Sequence, residues 1–139
     1  MSVTSIHPYI NLNGDSAAAL AFYAAALGGE VRRVMHWREL PPEYGCAPED
    51  EGRVMHAELG LGDQSIFFAD RPSSRHEPIG GNVEVHLGFA SPKDLDAAFA
   101  RLVEGGETRM APHDAFWGDR FAALRDRFGI VWTLSAALA

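Results

Sequence analysis

Two periodicities alternate along this chain. Leu20, Tyr23 and Leu27 recur at helical spacing in an alanine-rich run, which predicts a helix over Asp15–Leu27. Leu95, Phe99 and Leu102 repeat the pattern and predict a second helix over Pro92–Glu104. Asp15 or Ser16 can cap the first, because a short oxygen side chain accepts from the free N–H groups of the first turn. Ser91-Pro92 starts the second with a capping serine and a proline where no N–H is needed. Both helices are expected to stop at glycine, Gly28 and Gly105. Strands are predicted over Ser5–Asn11, Glu30–Trp37, Arg53–Leu61 and Gln64–Asp70 in the first half. In the second half they fall over Asn82–Phe89, Glu107–Met110, Asp119–Arg125 and Ile130–Ser135. The loops Glu39–Gly52, Arg71–Gly80 and Ala111–Gly118 remain, and the first two are long enough to be functional or mobile.

The order repeats itself. Gly28-Gly29 and Gly105-Gly106 stand 77 residues apart, as do Phe22 and Phe99 inside the two helices. Ile10 and Leu12 match Leu87 and Phe89 at the same offset. A strand, a helix and a glycine pair in common make a duplication, each half reading β-α-β-β-β. The expected class is α+β, one domain over 1–139 made of two modules, about 1–75 and 76–139.

Composition narrows the partners. Twelve Lys and Arg against 19 Asp and Glu leave a formal charge of −7, with no basic stripe for nucleic acid. An anionic membrane surface is disfavoured for the same reason. No apolar run reaches the roughly 18 residues of a membrane span. Met1–His7 has neither a basic nor an apolar leader segment, so a cytoplasmic protein is expected. The single cysteine, Cys46, reads as a free loop thiol with no base or helix terminus beside it.

Candidate chemistry sits on the strands. Alternation sets Glu84, His86 and Gly88 opposite Val85, Leu87 and Phe89, and it puts His56 on one face with Glu58. With the apolar set on the helix, Glu84 and His86 face the other way. Each histidine reads as a hydrogen-bonded strand residue, as a metal ligand or as a metal-free general base. His36 and His76 read as surface residues, while His113 stands near the aromatic stretch Phe116-Trp117-Gly118-Asp119-Arg120-Phe121. There Trp117 and the phenylalanines offer flat apolar area, and Arg120 can hold an anionic group with its fork. The competing reading has the aromatics plug the sheet end and Arg120 bridge to Asp119, Asp126 or Glu58. Trp132 is a core residue or lends one edge to a ligand.

Several runs together resemble a known family. Asp15-Ser16-Ala17-Ala18-Ala19-Leu20-Ala21-Phe22-Tyr23 with Leu27-Gly28-Gly29 resembles the first module of the glyoxalase / bleomycin-resistance / extradiol-dioxygenase (vicinal oxygen chelate) superfamily. Pro8-Tyr9-Ile10, Asn13-Gly14, His56-Ala57-Glu58-Leu59, the aromatic stretch above, Asp126-Arg127-Phe128-Gly129 and Trp132 are similar to its PhnB-like branch. The resemblance covers nearly the whole chain. It implies paired βαβββ modules forming a curved mixed sheet around a cavity, and commonly a homodimer. It also brings labels such as glyoxalase or ubiquinone-pathway methyltransferase. The latter needs a methyl-donor site, and no glycine-rich strand-to-helix loop of that kind is present.

The resemblance further implies where a metal would bind, with one ligand from the first and one from the last strand of each module. Those positions fall near His7–Tyr9 and Glu84–His86, and near Phe67-Phe68 and Trp132-Thr133. The final strand of the metal enzymes carries Glu four residues after its turn glycine; here Thr133 follows Gly129 at that spacing. At most two ligands result, where a divalent ion wants three or four. The first expectation is therefore a protein that binds a small molecule without a cofactor, through His56, Glu84, His86, Trp117, Arg120 and Trp132. The alternative is a metal-dependent lyase, isomerase or dioxygenase, with His7, His56 and His86 as the candidate ligands. A third reading is a dimer without a ligand.

Overall fold

The computed structural model describes residues 2–139. Met1, where the stretch read for a leader begins, lies outside the described residues. The elements run β1 (Tyr9–Leu12), α1 (Ser16–Leu27), β2 (Glu30–His36), β3 (Val54–Leu61), β4 (Gln64–Asp70), β5 (Val85–Phe89), α2 (Pro92–Leu102), β6 (Glu107–Asp114), β7 (Asp119–Arg125) and β8 (Val131–Ala137). They form two compact units, Met1–Pro78 and Ile79–Ala139. Each unit is one βαβββ motif with its own four-stranded mixed sheet, ordered β1-β4-β3-β2 and β5-β8-β7-β6. Within each sheet the first strand lies parallel to the last, and the other pairs are antiparallel.

In the first unit α1 packs on β3 and β4. Leu20 and Tyr23 meet Ile10, Leu12, Ala57, Leu59, Ile66 and Phe68 in a dry core, and the Tyr23 and Phe68 rings lie 5.5 Å apart. In the second unit α2 packs on β7 and β8, burying Leu95, Ala98 and Leu102 with Ala122, Leu124, Trp132, Leu134 and Ala136. The alternation read from the sequence thus sets the apolar face of each sheet against its helix.

The duplicated glycine pairs have a physical reason. Gly28 (φ 68°) and Gly105 (φ 75°) turn the chain through the left-handed region that a side chain disfavours. The glycine after each has no room for a side chain. A Cβ on Gly29 would meet Leu59 and Leu61 at 2.9 Å, and one on Gly106 would run into the Arg125 carbonyl oxygen and Asp126 backbone.

Two buried carboxylates anchor the units. Asp70, 2% exposed, accepts Gly14 N–H (3.0 Å) and Ser16 N–H (2.9 Å) on Oδ1 and Val54 N–H (3.0 Å) on Oδ2. It starts α1 from the far end of β4, since neither Asp15 nor Ser16 caps it: Asp15 makes no cap bond and the Ser16 hydroxyl is buried without a partner. Asp126, 3% exposed, accepts Phe128 N–H (2.9 Å) and Ile130 N–H (3.0 Å) on Oδ1 and the Trp132 indole N–H (2.7 Å) on Oδ2. The predicted serine cap of α2 is present, with Ser91 Oγ accepting from Asp94 N–H at 3.1 Å.

Several boundaries differ from the sequence reading. β1 starts at Tyr9, because Pro8 has no N–H for a ladder, and β5 starts at Val85 after exposed residues. Helix α2 ends at Leu102, with two further residues before Gly105. Strand β6 runs on to Asp114, so the third predicted loop shrinks to a tight turn before Asp119. Pro112 fits there because β6 is an edge strand whose register is irregular between Met110 and His113. The other edge, β2, carries a comparable irregularity at Arg33 (φ 50°).

The two long loops are stapled rather than loose. Asp50, 3% exposed, accepts from Ser73 N–H and Oγ–H and pairs with Arg53 Nε at 3.4 Å. Arg53 Nη1 donates to Arg71 O (2.9 Å) and to His76 Nε2 (2.7 Å). Arginine only donates, so that histidine nitrogen is an acceptor.

Candidate functional site

Each sheet has a second face that its own helix does not cover. In the first unit the strand registers place Tyr9, Phe67, Glu58 and Arg32 in one row across that face. The matching row of the second unit is His86, Thr133, Ala123 and Met110. Tyr9 thus stands where the repeat has His86, and Phe67 where it has Thr133.

Rings crowd the first face. The Tyr9 hydroxyl and His56 Nδ1 share a hydrogen bond of 2.6 Å across the sheet. Phe67 lies between them, its centroid 5.6 Å from Tyr9 and 5.2 Å from His56, both edge-on. His7 stacks on Phe67 at 4.4 Å and donates Nδ1–H to the Ser65 carbonyl at 3.1 Å. Partial burial holds the Tyr9 phenol above its ordinary pKa and so keeps it neutral. Glu58 shares the face, with its carboxylate 4.0 Å from Arg32.

The second face is polar and narrower. His86 is exposed, and both ring nitrogens are engaged: Nδ1 with Thr133 Oγ1 at 2.8 Å, Nε2 with Ser135 Oγ at 2.9 Å. Thr133 and Ser135 are alternate residues of β8 and therefore point the same way. Glu84, just before β5, is exposed. Trp117 is 52% exposed in the β6–β7 turn, edge-on to Phe121 at 5.6 Å, and Phe116 beside it is 97% exposed.

Two expected site residues lie elsewhere. Arg120 pairs in register with Ala136, on the helix side of the sheet. Its Nε donates to Asp96 of α2 (2.7 Å) and its Nη1 to Asp114 of β6 (2.9 Å). The bond to Asp96, then that to Asp114, pushes the guanidinium pKa further up. Arg120 thus ties α2 to β6 in a solvent-accessible ion bridge, with other partners than the Asp119, Asp126 or Glu58 considered from sequence. Trp132 is fully buried against Asp126 on the same side, so no edge of it reaches a ligand. His56, Glu84, His86 and Trp117 remain accessible.

The donor set does not suit the superfamily's metal. Phe67 faces the open side and Phe68 the helix; neither offers a lone pair. His86 is the one imidazole among the four matched row positions, and hydroxyls occupy both of its nitrogens. Among the described residues no three His, Cys, Asp or Glu side chains gather as a ligand set. Apart from these faces, a shallow hollow of about 450 Å³ lies in the β2–β3 loop against Trp37, Leu40, Pro41 and Cys46. Partial burial, then Glu51, Asp50 and Glu49, raises the pKa of the Cys46 thiol and makes it a poor nucleophile.

Comparison with known proteins agrees with this architecture. The family model described as the Glyoxalase/Bleomycin resistance protein/Dioxygenase superfamily matches residues 5–134. Protein YjdN of Escherichia coli is 23% identical over 138 residues, covering 94% of this chain and 93% of its own. The crystal structure of PA1353 from Pseudomonas aeruginosa superposes with a TM-score of 0.86 at 26% identity, over 99% of this chain and 100% of that one. A PhnB protein from Bacillus cereus shares the fold, with a TM-score of 0.79 at 21% identity over 96% and 100% of the two chains. No helix among the described residues is long and apolar enough to cross a membrane.

Proposed function

Because the chain belongs to the Glyoxalase/Bleomycin resistance protein/Dioxygenase superfamily, we propose that it binds a small molecule on an uncovered sheet face without a metal of the superfamily type. The observation that carries this reading is the row pair Tyr9–Phe67 and His86–Thr133. The positions that hold a metal in the superfamily's enzymes here supply a phenol, a phenyl ring, a hydrogen-bonded imidazole and a hydroxyl. Such groups recognise an organic ligand by ring contact and neutral hydrogen bonds. His56, Glu84, His86 and Trp117 are the contact residues from the sequence reading, joined by Tyr9, Phe67 and Ser135.

A homodimer in the cytoplasm is part of the same proposal. Ile6, Val31, Met35, Met110 and Phe116 are each more than 40% exposed and are apolar side chains available to a second copy. Elemental analysis of protein purified without chelator, then dialysed with Zn²⁺, Mn²⁺, Ni²⁺ or Fe²⁺, tests the metal. The expected result is well under one ion per chain. One tightly held ion per chain refutes the metal-free reading and puts the lyase, isomerase or dioxygenase alternative first. A thermal-shift screen of small organic compounds on the wild type tests binding, with hits weakened by His86→Gln or His56→Gln.

A further inference from the structure

The face of the second sheet joins a hydroxyl to a base. His86 Nε2 meets Ser135 Oγ at 2.9 Å, and Nδ1 meets Thr133 Oγ1 at 2.8 Å. A neutral imidazole has one N–H and one lone pair, so one hydroxyl donates to the ring and the other accepts from it. With Ser135 as the donor, its O–H points at the Nε2 lone pair and Nδ1–H goes to Thr133. A serine nucleophile needs that order: a base within hydrogen-bond reach, and a third group that orients the base. The strand register sets it up. His86 and Thr133 are direct partners across β5 and β8, and Ser135 is the next residue of β8 on the same face.

The surroundings of Ser135 leave room for a substrate. Its partner on β5 is Gly88, where a side chain would meet nothing within 4 Å. Its partner on β7 is Phe121, which carries the half-exposed Trp117 edge-on at 5.6 Å. The hydroxyl thus stands between an open gap and an aromatic wall.

We propose that Ser135 is the nucleophile of an acyl-transfer site for small aryl esters, with His86 as general base and Thr133 as a positioning residue. This goes beyond the binding reading above and uses one of its faces. Ser135 Oγ bonds to the ester carbonyl carbon while its proton passes to His86 Nε2. The bond from that carbon to the phenol oxygen breaks, and the phenol leaves with the proton. Water then attacks the acyl group and gives a proton to His86. The bond to Ser135 Oγ breaks, the serine takes that proton back, and the carboxylic acid departs. Nothing is oxidised or reduced, and water is the one co-reactant. Phe121 and Trp117 seat the aryl ring, and the gap at Gly88 takes the acyl group.

The test uses 4-nitrophenyl acetate for turnover and a fluorophosphonate for labelling, both on the whole chain. A fluorophosphonate loses fluoride to a serine that a base activates, and mass spectrometry of the digested protein locates the adduct. The proposal expects one label per chain at Ser135, none in Ser135→Ala, and labelling at least about 100-fold slower in His86→Gln, the lower end of what a positioned base is worth. Nitrophenol release should fall to the buffer rate in Ser135→Ala. Thr133→Val should lower kcat about five- to ten-fold with KM little changed, the usual worth of one neutral hydrogen bond, and Thr133→Ser should restore it. Melting curves check that each variant is folded; should another fail, Ser135→Ala, which removes one oxygen atom, decides alone. A label at another residue, or nitrophenol release that survives in Ser135→Ala, overturns the proposal. So does a wild type that takes no label and releases nitrophenol no faster than buffer. In that case a compound that still binds the wild type in the thermal-shift screen leaves the binding function standing, and a broad set without any binder removes that function too.

Discussion

Removing the Asp70 carboxylate should unseat the first unit. Asp70→Ala leaves three N–H groups with no acceptor, those of buried Ser16 and Val54 and that of exposed Gly14, which can turn to water. A buried donor left unpaired costs about 1–3 kcal/mol, so the two buried ones give roughly 2–6 kcal/mol before relaxation. Releasing a carboxylate from a site that is only 2% exposed offsets part of this, because burying a charge is costly in itself. A net loss of about 3 kcal/mol follows, a large share of the roughly 5–15 kcal/mol that holds a domain folded. Asp70→Asn keeps one oxygen for Gly14 and Ser16 but turns an amide N–H₂ toward Val54 N–H, so about 2 kcal/mol is expected. With a urea slope near 2 kcal/mol/M, the midpoints should fall by about 1.5 M and 1 M. Urea unfolding by circular dichroism gives the midpoints. Hydrogen exchange places the damage: Gly14, Ser16 and Val54 amides lose protection, while Phe128 and Ile130, held by Asp126, keep theirs. An Asp70→Ala midpoint within about 0.3 M of wild type would mean that water or the idle Ser16 hydroxyl satisfies these donors. The anchoring role would then be refuted.

Other perturbations separate the remaining contacts. Gly106→Ala should destabilise more than Gly29→Ala, because its Cβ runs into the backbone of Arg125 and Asp126 alone, whereas at Gly29 the nearest atoms are the ends of two leucine side chains and the Gly60 carbonyl oxygen stands at 3.0 Å. About 1–3 kcal/mol is expected for Gly29→Ala and more for Gly106→Ala, read from chemical denaturation; the reverse order would contradict the packing described. Arg120→Ala should leave the affinity of any screening hit unchanged and lower the melting temperature slightly, less so at high salt. A lost affinity would restore it to the binding site. Glu39 accepts the His36 backbone N–H at 2.6 Å, and that bond, followed by the one to the His36 ring, lowers its pKa. A depressed carboxylate stabilises the fold above its unfolded pKa, and the contribution is lost as pH falls through the folded value. His36 amide exchange should therefore quicken below the ordinary carboxylate range in wild type and be fast at every pH in Glu39→Ala.

Much of the fold was readable because backbone demands recur in both copies. Gly28-Gly29 and Gly105-Gly106 could be matched at one offset because the left-handed turn and the close approach after it each require glycine. Alternation placed His56 with Glu58 and His86 away from the helix, since a strand leaves a side chain two choices of face. The same rule applied to β7 puts Arg120 with the buried Ala122 and Leu124, on the helix side; its neighbours Phe116 and Trp117 drew it toward the binding site instead. Tyr9 and His56 are 47 residues apart, and only the order β1-β4-β3 brings them together. Asp70 reads as a polar strand end and Asp126 as the first residue of a turn, because an acceptor for backbone N–H groups leaves no periodic trace.

The two helices begin under different authority. Ser91 caps α2 from the adjacent residue, so its starting point is written locally. The start of α1 is set by a carboxylate 54 residues downstream of Ser16. During synthesis the alanine run can coil as soon as it leaves the ribosome, but nothing fixes where the coil begins until Asp70 has emerged and the β3–β4 hairpin has closed. Ribosome-stalled chains ending before and after that residue should therefore differ in how firmly the Ser16 amide is held, whereas α2 should acquire its boundary with its own sequence.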